Sequence, residues 1–356
     1  MKTACLVGKR QIEIRDFEKP SVPDDGLIIA IEACGICGSD IRRWHEGPPT
    51  GCEFLVQGHE AAGSVIETGK YVSNFRAGDK IAIAPDIHCG DCEYCHKGLF
   101  NLCDNLKLIG ITPGVYGCFS DYLVITNEII KNGIIHHIPE GISPVSATLA
   151  ETMASVLACQ ERYNVASDEV VVIMGAGPVG CLHATIAKLK NARVVLIEPS
   201  DNRRTIALKT KPDLVLNPLE VDPVQSVLKF TNGHGADVII CANPVWETQA
   251  QAVQMAKKRG RIIFFGGLPK DNPITKLDAN KIHYRELTVG GAFSYHPDFH
   301  KMALEILATG KVRADDFITN IFPLSQIDKG FEAAASGKEL KVVIVPDAVF
   351  PVQNKK

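Results

Sequence analysis

The sequence of 356 residues lacks the features that place a protein in or across a membrane. No apolar run reaches the roughly 20 residues that a membrane-spanning helix needs. The N-terminal segment 1–17 carries charges throughout and has no signal-peptide core, and segment 351–356 holds no lipidation motif. These absences predict a cytoplasmic protein that has no membrane partner.

The chain also lacks an excess of basic charge, internal repeats and low-complexity segments. Its 38 basic and 41 acidic residues give a formal net charge of -3. A nucleic-acid-binding protein would need a basic face to neutralise phosphates, so nucleic acid is not an expected partner. Hydrophobic residues make up 46% of the chain, which is enough for a large core, and the length favours two domains.

Twelve cysteines are present, and four of them crowd between residues 89 and 103. Cys89, Cys92, Cys95 and Cys103 follow the spacing C-x-x-C-x-x-C-x7-C, which lets four thiolates converge on one ion. Four thiolates leave no open coordination position, so the spacing predicts a structural zinc site. An iron–sulfur run shares the first gaps and is the second interpretation, although it would continue with proline where Asp104 stands.

The first 145 residues alternate short apolar runs with Gly, Pro and Asp turn signals. Runs such as 27–32, 61–67 and 80–85 have strand length and are bounded by these turn residues. The pattern predicts a β-rich region with many loops.

From residue 150 to 291, strand-length apolar runs alternate with helix-length segments. The predicted strands are 169–174, 192–197, 213–216, 236–242, 261–265 and 286–289. The predicted helices between them are 178–190, 202–209, 222–232 and 246–259, and after residue 292 we expect helices over 296–309 and 324–336 and a last strand over 341–345. The alternation predicts a parallel sheet with helices on both faces, inserted into a domain built from both chain ends.

A glycine-rich loop connects the first predicted strand of this region to its first helix. In Gly175-Ala176-Gly177-Pro178-Val179-Gly180, the glycines permit a tight turn and a close backbone approach. Pro178 suits the first helical turn, where its missing N–H costs nothing. The loop therefore predicts that a dinucleotide pyrophosphate binds at the helix N-terminus.

Glu198 ends the next predicted strand. A carboxylate at this position accepts hydrogen bonds from the ribose hydroxyls and repels a 2′-phosphate, which favours NAD. Arg203 and Arg204 follow closely, and either could serve a phosphate, so NADP stays possible.

Two further fragments hold metal-binding residue types: Cys-Gly-Ile-Cys-Gly-Ser-Asp over 34–40 and Gly-His-Glu-x-x-Gly over 58–63. On these motifs, the cysteine cluster, the glycine loop and Ala150-Glu151, the sequence resembles the zinc-containing medium-chain dehydrogenases, in particular their polyol and threonine dehydrogenase branch. The resemblance covers essentially the whole chain.

The resemblance implies an α/β fold with two domains. A GroES-like β-rich catalytic domain would comprise residues 1–150 and 292–356, with a structural zinc lobe at about 86–106. A Rossmann doubly wound parallel six-stranded sheet would comprise residues 151–291. Family members are homodimers or homotetramers, and the edge stretch 286–292 could join the subunits.

The resemblance also implies the catalytic zinc ligands. Cys37 and His59 match ligands, Glu60 matches a ligand or near neighbour, and Glu151 stands where this branch has a carboxylate. The summed charge of -2 from Cys37, His59 and Glu60 would neutralise Zn²⁺. Direct binding by Glu151 as well would make the site negative and weaken the Lewis acid, so we expect Glu151 to bind in some states only.

Ser39 lies where the family has the hydroxyl that takes the alcohol proton, although a turn hydroxyl is an alternative reading. Arg42 replaces the histidine that continues the relay in many members, and arginine cannot act as a base near neutral pH. Tyr295 follows Ser294, where sorbitol dehydrogenases carry an Arg-Tyr pair. Arg203 matches a position that commonly flanks the adenine.

The expected function is hydride transfer between a secondary alcohol and NAD in a zinc enzyme. A polyol or sugar alcohol is preferred as substrate, and the adjacent Arg42 and Arg43 could accommodate an acidic or phosphorylated one. A threonine-type amino alcohol, a simple primary alcohol and NADP as cofactor are alternatives. A non-catalytic dinucleotide-sensing protein is the competing class. Such a protein would not need to keep the metal and proton-transfer residues, which are Cys37, Ser39, His59 and Glu60.

Overall fold

The computed structural model describes residues 1–350; the predicted absence of a lipidation motif at 351–356 lies outside them. The strands of the first part are β1 (Lys2–Gly8), β2 (Gln11–Asp16), β3 (Leu27–Gly35), β4 (Leu55–Val56), β5 (Glu60–Thr68), β6 (Lys80–Ile87), β7 (Lys107–Leu108), β8 (Tyr122–Ile125) and β9 (Gly133–His137). Its helices are α1 (Gly38–Glu46), α2 (Glu93–His96), α3 (Asn127–Asn132), α4 (Pro144–Ala147) and α5 (Leu149–Arg162).

The second part follows in alternating order. Its strands are β10 (Val170–Met174), β11 (Arg193–Ile197), β12 (Leu214–Leu216), β13 (Ala236–Cys241), β14 (Ala256–Phe264) and β15 (Thr288–Gly291). Its helices are α6 (Pro178–Leu189), α7 (Asp201–Ala207), α8 (Pro223–Phe230), α9 (Trp246–Met255) and α10 (Ala279–Tyr284). The described chain ends with α11 (Pro297–Ala308), β16 (Ile318–Pro323), α12 (Ile327–Ala335) and β17 (Lys341–Val345).

The described chain divides into two compact units. Unit 1 comprises Met1–Ala154 and residues 295–350, and unit 2 comprises Ser155–Ser294. The sequence analysis predicted the domain boundaries after residues 150 and 291. In the structure the boundaries follow Ala154 and Ser294, so Glu151 lies in unit 1, as Tyr295 does. Among residues 1–350, no helix combines the length and apolarity that crossing a bilayer would require.

Unit 1 is built on a mixed sheet and a smaller antiparallel one. The larger sheet runs β16-β17-β3-β5-β6-β7, with β8 paired to β3 and β9 paired to β6, and the smaller sheet runs β2-β1-β4. Apolar side chains of β3, β5, β6 and α12 form its core, including Leu27, Ile29, Ile83 and Phe331. β17 pairs with β3, so the last strand completes a sheet begun by the first residues.

Unit 2 holds a parallel sheet in the order β12-β11-β10-β13-β14-β15. This order confirms the predicted doubly wound six-stranded fold. Strands β10, β11 and β13 are almost entirely buried, as expected for apolar strands of a sheet that is covered on both faces.

The helix predicted over 246–259 was wrong at its C-terminal end. α9 ends at Met255, and β14 starts at Ala256 rather than at residue 261. Ala256 pairs with Ala236 at the start of β13, and the Lys257 ammonium lies 2.8 Å from Asp237. Pairing with β13 satisfies backbone groups that a longer helix would otherwise satisfy.

Candidate metal and nucleotide sites

The four clustered cysteines converge in the segment between β6 and β7. Cys92 precedes α2, Cys95 lies within it, and Cys103 follows the short helical turn Phe100–Leu102. All four sulfurs lie within 4.8 Å of one another. The separation is 3.5 Å between Cys92 and Cys95 and 3.9 Å between Cys89 and Cys95.

These separations fit a single tetrahedral zinc ion. A Zn–S bond of about 2.3 Å places two sulfurs about 3.8 Å apart. An iron–sulfur cluster would hold them farther apart, because several iron and sulfide ions stand between the thiolates. The backbone N–H of Asp91 lowers the pKa of Cys89 to about 6, whereas burial raises the pKa of Cys95 to about 12. The Cys89 thiol therefore ionises near neutral pH without a metal, whereas the Cys95 thiol would ionise only on binding one.

A second cluster forms where α1 meets the start of β5. Cys37 is the residue before α1, and Glu60 is the first residue of β5. One ligand atom each from Cys37, His59 and Glu60 lies within 4.8 Å of the other two. The β3–β5 register places Glu60 opposite Gly35, where an added Cβ would lie 2.2 Å from Oε2 of Glu60. Glycine at position 35 therefore makes room for the carboxylate.

His59 is buried between a carboxylate and a hydroxyl. Its Nδ1 lies 3.6 Å from Oδ1 of Asp40 and has no hydrogen bond within the described part of the chain, and its Nε2 lies 3.5 Å from Oγ of Ser39. Burial opposes protonation, but Asp40 and Cys37 raise the pKa of His59 well above its usual value. This excess of buried negative charge fits a bound divalent cation, with Asp40 orienting the imidazole.

Both oxygens of Glu60 contact a buried lysine that the sequence analysis assigned no role. The Nζ of Lys341 donates to Oε1 and to Oε2 at 2.6 Å, and Thr152 donates to Oε1 at 3.0 Å. Burial of Glu60 favours its neutral form, but the Lys341 charge outweighs this and lowers the pKa of Glu60. The charge of Glu60 is therefore already balanced by protein, which the predicted charge sum of -2 did not include.

Glu151 lies on α5 and is not part of the three-residue cluster. Tyr295 donates from its hydroxyl to Oε1 of Glu151 at 3.3 Å, and Thr152 lies 3.4 Å from Oε2. Burial, with the nearby charge of Glu60, raises the pKa of Glu151 to about 7. The structure thus brings three of the four predicted catalytic ligands together and holds the fourth beside them through Thr152.

The glycine loop connects β10 to α6 in unit 2. Gly177 is the residue before α6, and Pro178 is its first residue. Gly175 has φ +109°, and a Cβ on Gly180 would lie 1.9 Å from the Gly175 carbonyl oxygen. Val179 lies half-buried in the first turn. The loop has the strand–turn–helix geometry that binds a pyrophosphate.

Glu198 follows β11 and faces this loop. Its Oε2 accepts a hydrogen bond from Ala176 N at 2.8 Å, and its Oε1 accepts one from Ser200 N at 2.9 Å. Arg204 donates to the carbonyl oxygens of Glu198 and Pro199, so its guanidinium is engaged by the backbone. Arg203 lies half-buried on α7.

The two arginines considered for substrate binding lie on α1. Arg43 forms an ion pair with Glu46 at 3.1 Å, and Arg42 is exposed. Because Glu46 already neutralises Arg43, this arginine would attract a substrate anion less strongly. The sequence analysis gave no role to Asp40, Thr152 or Lys341. Two of them left a signal: Asp40 ends the Cys-Gly-Ile-Cys-Gly-Ser-Asp fragment, and Lys341 is a charged residue at the start of an otherwise apolar strand.

Both parts of the chain match known protein families. Residues 23–137 match the alcohol dehydrogenase GroES-like domain, and residues 178–309 match the zinc-binding dehydrogenase family. The first match includes both predicted metal sites, and the second begins within the nucleotide loop and covers most of the parallel sheet that follows.

Similar proteins cover the chain almost completely. It is 32% identical to the L-threonine 3-dehydrogenase of Pyrococcus abyssi over 97% of each chain. It is 29% identical to the sorbitol dehydrogenase of Bacillus subtilis over 98% of each. A zinc-binding dehydrogenase of Sinorhizobium meliloti 1021, whose structure was solved with bound NADP, is 30% identical over 97% of this chain and 99% of that chain, with a TM-score of 0.88.

Proposed function

Because the chain belongs to the zinc-containing medium-chain dehydrogenases, in their polyol and threonine dehydrogenase-like branch, we propose that it oxidises the secondary alcohol of a polyol with NAD. The buried cluster of Cys37, His59 and Glu60 carries the proposal, because a protein that only bound a nucleotide would not need it. When bound, zinc supplies a Lewis acid that lowers the pKa of the alcohol, and NAD supplies the hydride acceptor.

Cys37, His59 and Glu60 are the residues that would hold the catalytic zinc. Lys341 already balances Glu60, so Cys37 would bring the one uncompensated negative charge of the three. Glu151 can supply a second charge, because it lies next to the cluster and its pKa of about 7 allows both protonation states near neutral pH. Cys89, Cys92, Cys95 and Cys103 would hold the structural zinc.

Ser39 is the group proposed to take the alcohol proton. It is half-buried, and its hydroxyl lies beside Nε2 of His59, at the edge of the cluster. Arg42 is exposed and permanently charged, so the proton must leave Ser39 by another route.

Unit 1 is proposed as the catalytic domain and unit 2 as the nucleotide-binding domain. NAD is preferred over NADP because Glu198 presents a buried carboxylate beside the loop, where a 2′-phosphate would be repelled. Arg204 is held by backbone carbonyls and does not offset this charge. NADP is the alternative, and the NADP-bound relative shows that this family accommodates it.

A neutral polyol is the proposed substrate class. Since Arg43 is paired with Glu46, a phosphorylated sugar alcohol would find one unpaired arginine on α1, Arg42, rather than two. Threonine-type amino alcohols are the second candidate, because the identity to a threonine dehydrogenase is as high as 32%.

The test is a substrate panel measured by NADH and NADPH formation. Neutral polyols, sugar phosphates, sugar acids, L-threonine and simple alcohols are compared, before and after removal of the metal by a chelator. We expect the largest kcat/KM with a neutral polyol and NAD, and loss of activity in the metal-free protein that added Zn²⁺ restores. No reduction of either nucleotide by any of these compounds would contradict the enzyme proposal.

We also propose that the protein forms a homo-oligomer and resides in the cytoplasm. β15 is an edge strand of its sheet, so its free side could pair with a second copy and give a homodimer or homotetramer. Light scattering of the purified protein, coupled to size exclusion, measures the assembly directly. Residence in the cytoplasm rests on the sequence and is tested by cell fractionation.

A further inference from the structure

A cavity of about 500 Å³ opens in unit 1, away from the proposed catalytic residues. It lies between β1, β8, α3 and the segment 114–117. None of Cys37, Ser39, His59, Glu60 or Glu151 belongs to its lining. Its volume is within the range of sites that bind small organic molecules, about 300–1,000 Å³.

Four aromatic rings contribute to the cavity wall. Phe17 and Phe54 have ring centroids 6.0 Å apart, and Phe54 and Tyr116 lie 6.3 Å apart with ring planes within 8° of parallel. Tyr122 adds a fourth ring to the lining. Phe17 and Tyr116 are 39% and 59% exposed, so these rings are open to an incoming molecule. Such walls favour a flat aromatic ligand, because aromatic rings stack on one another.

Thr3 supplies a polar group that the protein itself does not satisfy. Its side chain is 3% exposed and lines the cavity, and its Oγ1 has no hydrogen-bond partner within the described residues. Neighbouring Ala4 belongs to the core, so the alternation along β1 turns Thr3 to the opposite face. A buried hydroxyl without a partner is unfavourable, and a ligand oxygen in the cavity would remove that cost.

The two charged side chains in the cavity lining pair with each other. Lys107 lies 2.8 and 3.1 Å from the two carboxylate oxygens of Glu128, and both residues belong to the lining. The N-terminal ammonium of Met1 also belongs to the lining and donates to the carbonyl oxygen of Phe17, which does not neutralise its positive charge. The lining therefore offers no uncompensated side-chain charge to an ionic ligand.

We propose that this cavity is an accessory binding site for an uncharged aromatic molecule with a carbonyl oxygen. The rings of Phe54 and Tyr116 would stack on its aromatic part, and the Thr3 hydroxyl would donate to the carbonyl. The site does not depend on the proposed catalytic function, because it shares no residue with the metal cluster or the nucleotide loop.

The test titrates the intact protein with 6-propionyl-2-(dimethylamino)naphthalene, a neutral aryl ketone whose fluorescence shifts to the blue in an apolar site. We expect saturable binding of one probe per chain, unchanged by a chelator. Thr3→Val keeps the shape but removes the hydroxyl, and it should weaken binding about fivefold without lowering the thermal midpoint. Tyr116→Ala removes an exposed wall and should also weaken binding, while the matched variant Tyr71→Ala alters a ring outside the cavity and should not.

Several outcomes would overturn the proposal. One is the absence of saturable binding, and another is equal affinity of the wild type, Thr3→Val and Tyr116→Ala. Tighter binding of the anionic probe 8-anilinonaphthalene-1-sulfonate than of the neutral ketone would contradict the proposal that the ligand is uncharged. Binding that appears only when the assembled protein is diluted to monomers would assign the cavity to a second copy of the chain.

Alcohol oxidation is expected to proceed at the wild-type rate in Tyr116→Ala, because the cavity shares no residue with the proposed catalytic cluster.

Discussion

Lys341 lies at the start of a strand whose other residues are all apolar, and its ammonium group contacts both oxygens of Glu60. Motif spacing could predict Cys37, His59 and Glu60, because each belongs to a short, recognisable fragment. The partner of Glu60 could not be predicted in this way, since 281 residues separate it from Lys341. Contacts at such separations follow from sheet pairing, here β17 with β3, which local patterns do not encode.

Substitution of Lys341 should destabilise the folded protein strongly. Lys341→Met leaves Glu60 buried without its counter-charge, which costs about 3 kcal/mol in the free energy of unfolding. Lys70→Met breaks the exposed ion pair with Asp24 and should cost less than about 1 kcal/mol. Urea unfolding of both metal-free variants measures the difference, and Glu60→Gln combined with Lys341→Met should recover part of the loss. Equal effects of the two lysine substitutions would contradict a buried pair.

Ser39 should matter for turnover more than for metal binding. Ser39→Ala removes the proposed proton acceptor, and we expect kcat to fall about 100-fold while zinc content stays unchanged. Ser39→Thr keeps the hydroxyl and should retain most of the activity. Steady-state kinetics together with metal analysis separates the two effects. Loss of zinc in Ser39→Ala would instead give Ser39 a role in holding His59.

Among elements, β10, β11 and β13 could be predicted because each contains a continuous apolar run, whereas the charged residues 257–259 concealed the start of β14. β16 could not, because Asn320 interrupts its apolar pattern, and the strand is defined by parallel pairing with β17. α5 was also not predicted as a helix; its apolar residues are buried at i, i+3 and i+4 positions, such as Leu149, Met153 and Val156. Glu151 was thus identified by resemblance alone, without the helix that positions it.

The cysteine lobe between β6 and β7 should lose its metal independently of the catalytic cluster. Cys92→Ser removes one of four thiolates, so we expect about one zinc ion fewer per chain and a lower thermal midpoint. Cys52→Ser changes a cysteine outside both clusters and serves as the matched control. Inductively coupled plasma mass spectrometry gives the zinc content. Retention of both zinc ions in Cys92→Ser would show that the four thiols do not form one site.

The glycine loop before α6 makes a contrast between two substitutions. In Gly180→Ala, the new Cβ would lie 1.9 Å from the Gly175 carbonyl oxygen, so the loop must shift and the thermal midpoint should fall. In Gly177→Ala, no atom lies within 4 Å of the new Cβ, so stability should be kept while NAD binding weakens. Calorimetry and NAD titration measure both quantities. Wild-type NAD affinity in both variants would remove the loop from the proposed nucleotide site.

For the whole molecule, alternation along the chain predicted an inserted parallel-sheet region, and the order of the strands confirms the doubly wound sheet. Each unit encloses a buried histidine that the sequence could not distinguish from a surface residue. His183 in unit 2 and His300 in unit 1 are both fully buried. Burial lowers the pKa of each to about 3, and Nδ1 of His300 lies 3.0 Å from Nδ1 of His136.

Stability should therefore fall as the pH decreases from about 6.5 towards 3. In the unfolded chain these histidines take up protons below about pH 6.5, whereas in the folded chain they stay neutral until about pH 3. Their contribution to stability is complete above pH 6.5 and is lost below it. His300→Asn removes one such group, so its urea midpoint should change less between pH 7 and pH 5 than that of the wild type. Identical changes in both proteins would contradict a neutral buried histidine.

The larger sheet of unit 1 is complete only after β17, the last strand of the described chain, has been synthesised on the ribosome. At roughly 5–20 residues per second, Lys341 is added between about 15 and 55 seconds after Glu60. During that interval the nascent chain already carries Cys37, His59 and Glu60 but not the cation that neutralises the carboxylate. Maturation of the metal centre is thus expected to be post-translational, and a message truncated before the codon of Lys341 should yield a polypeptide that chaperones retain.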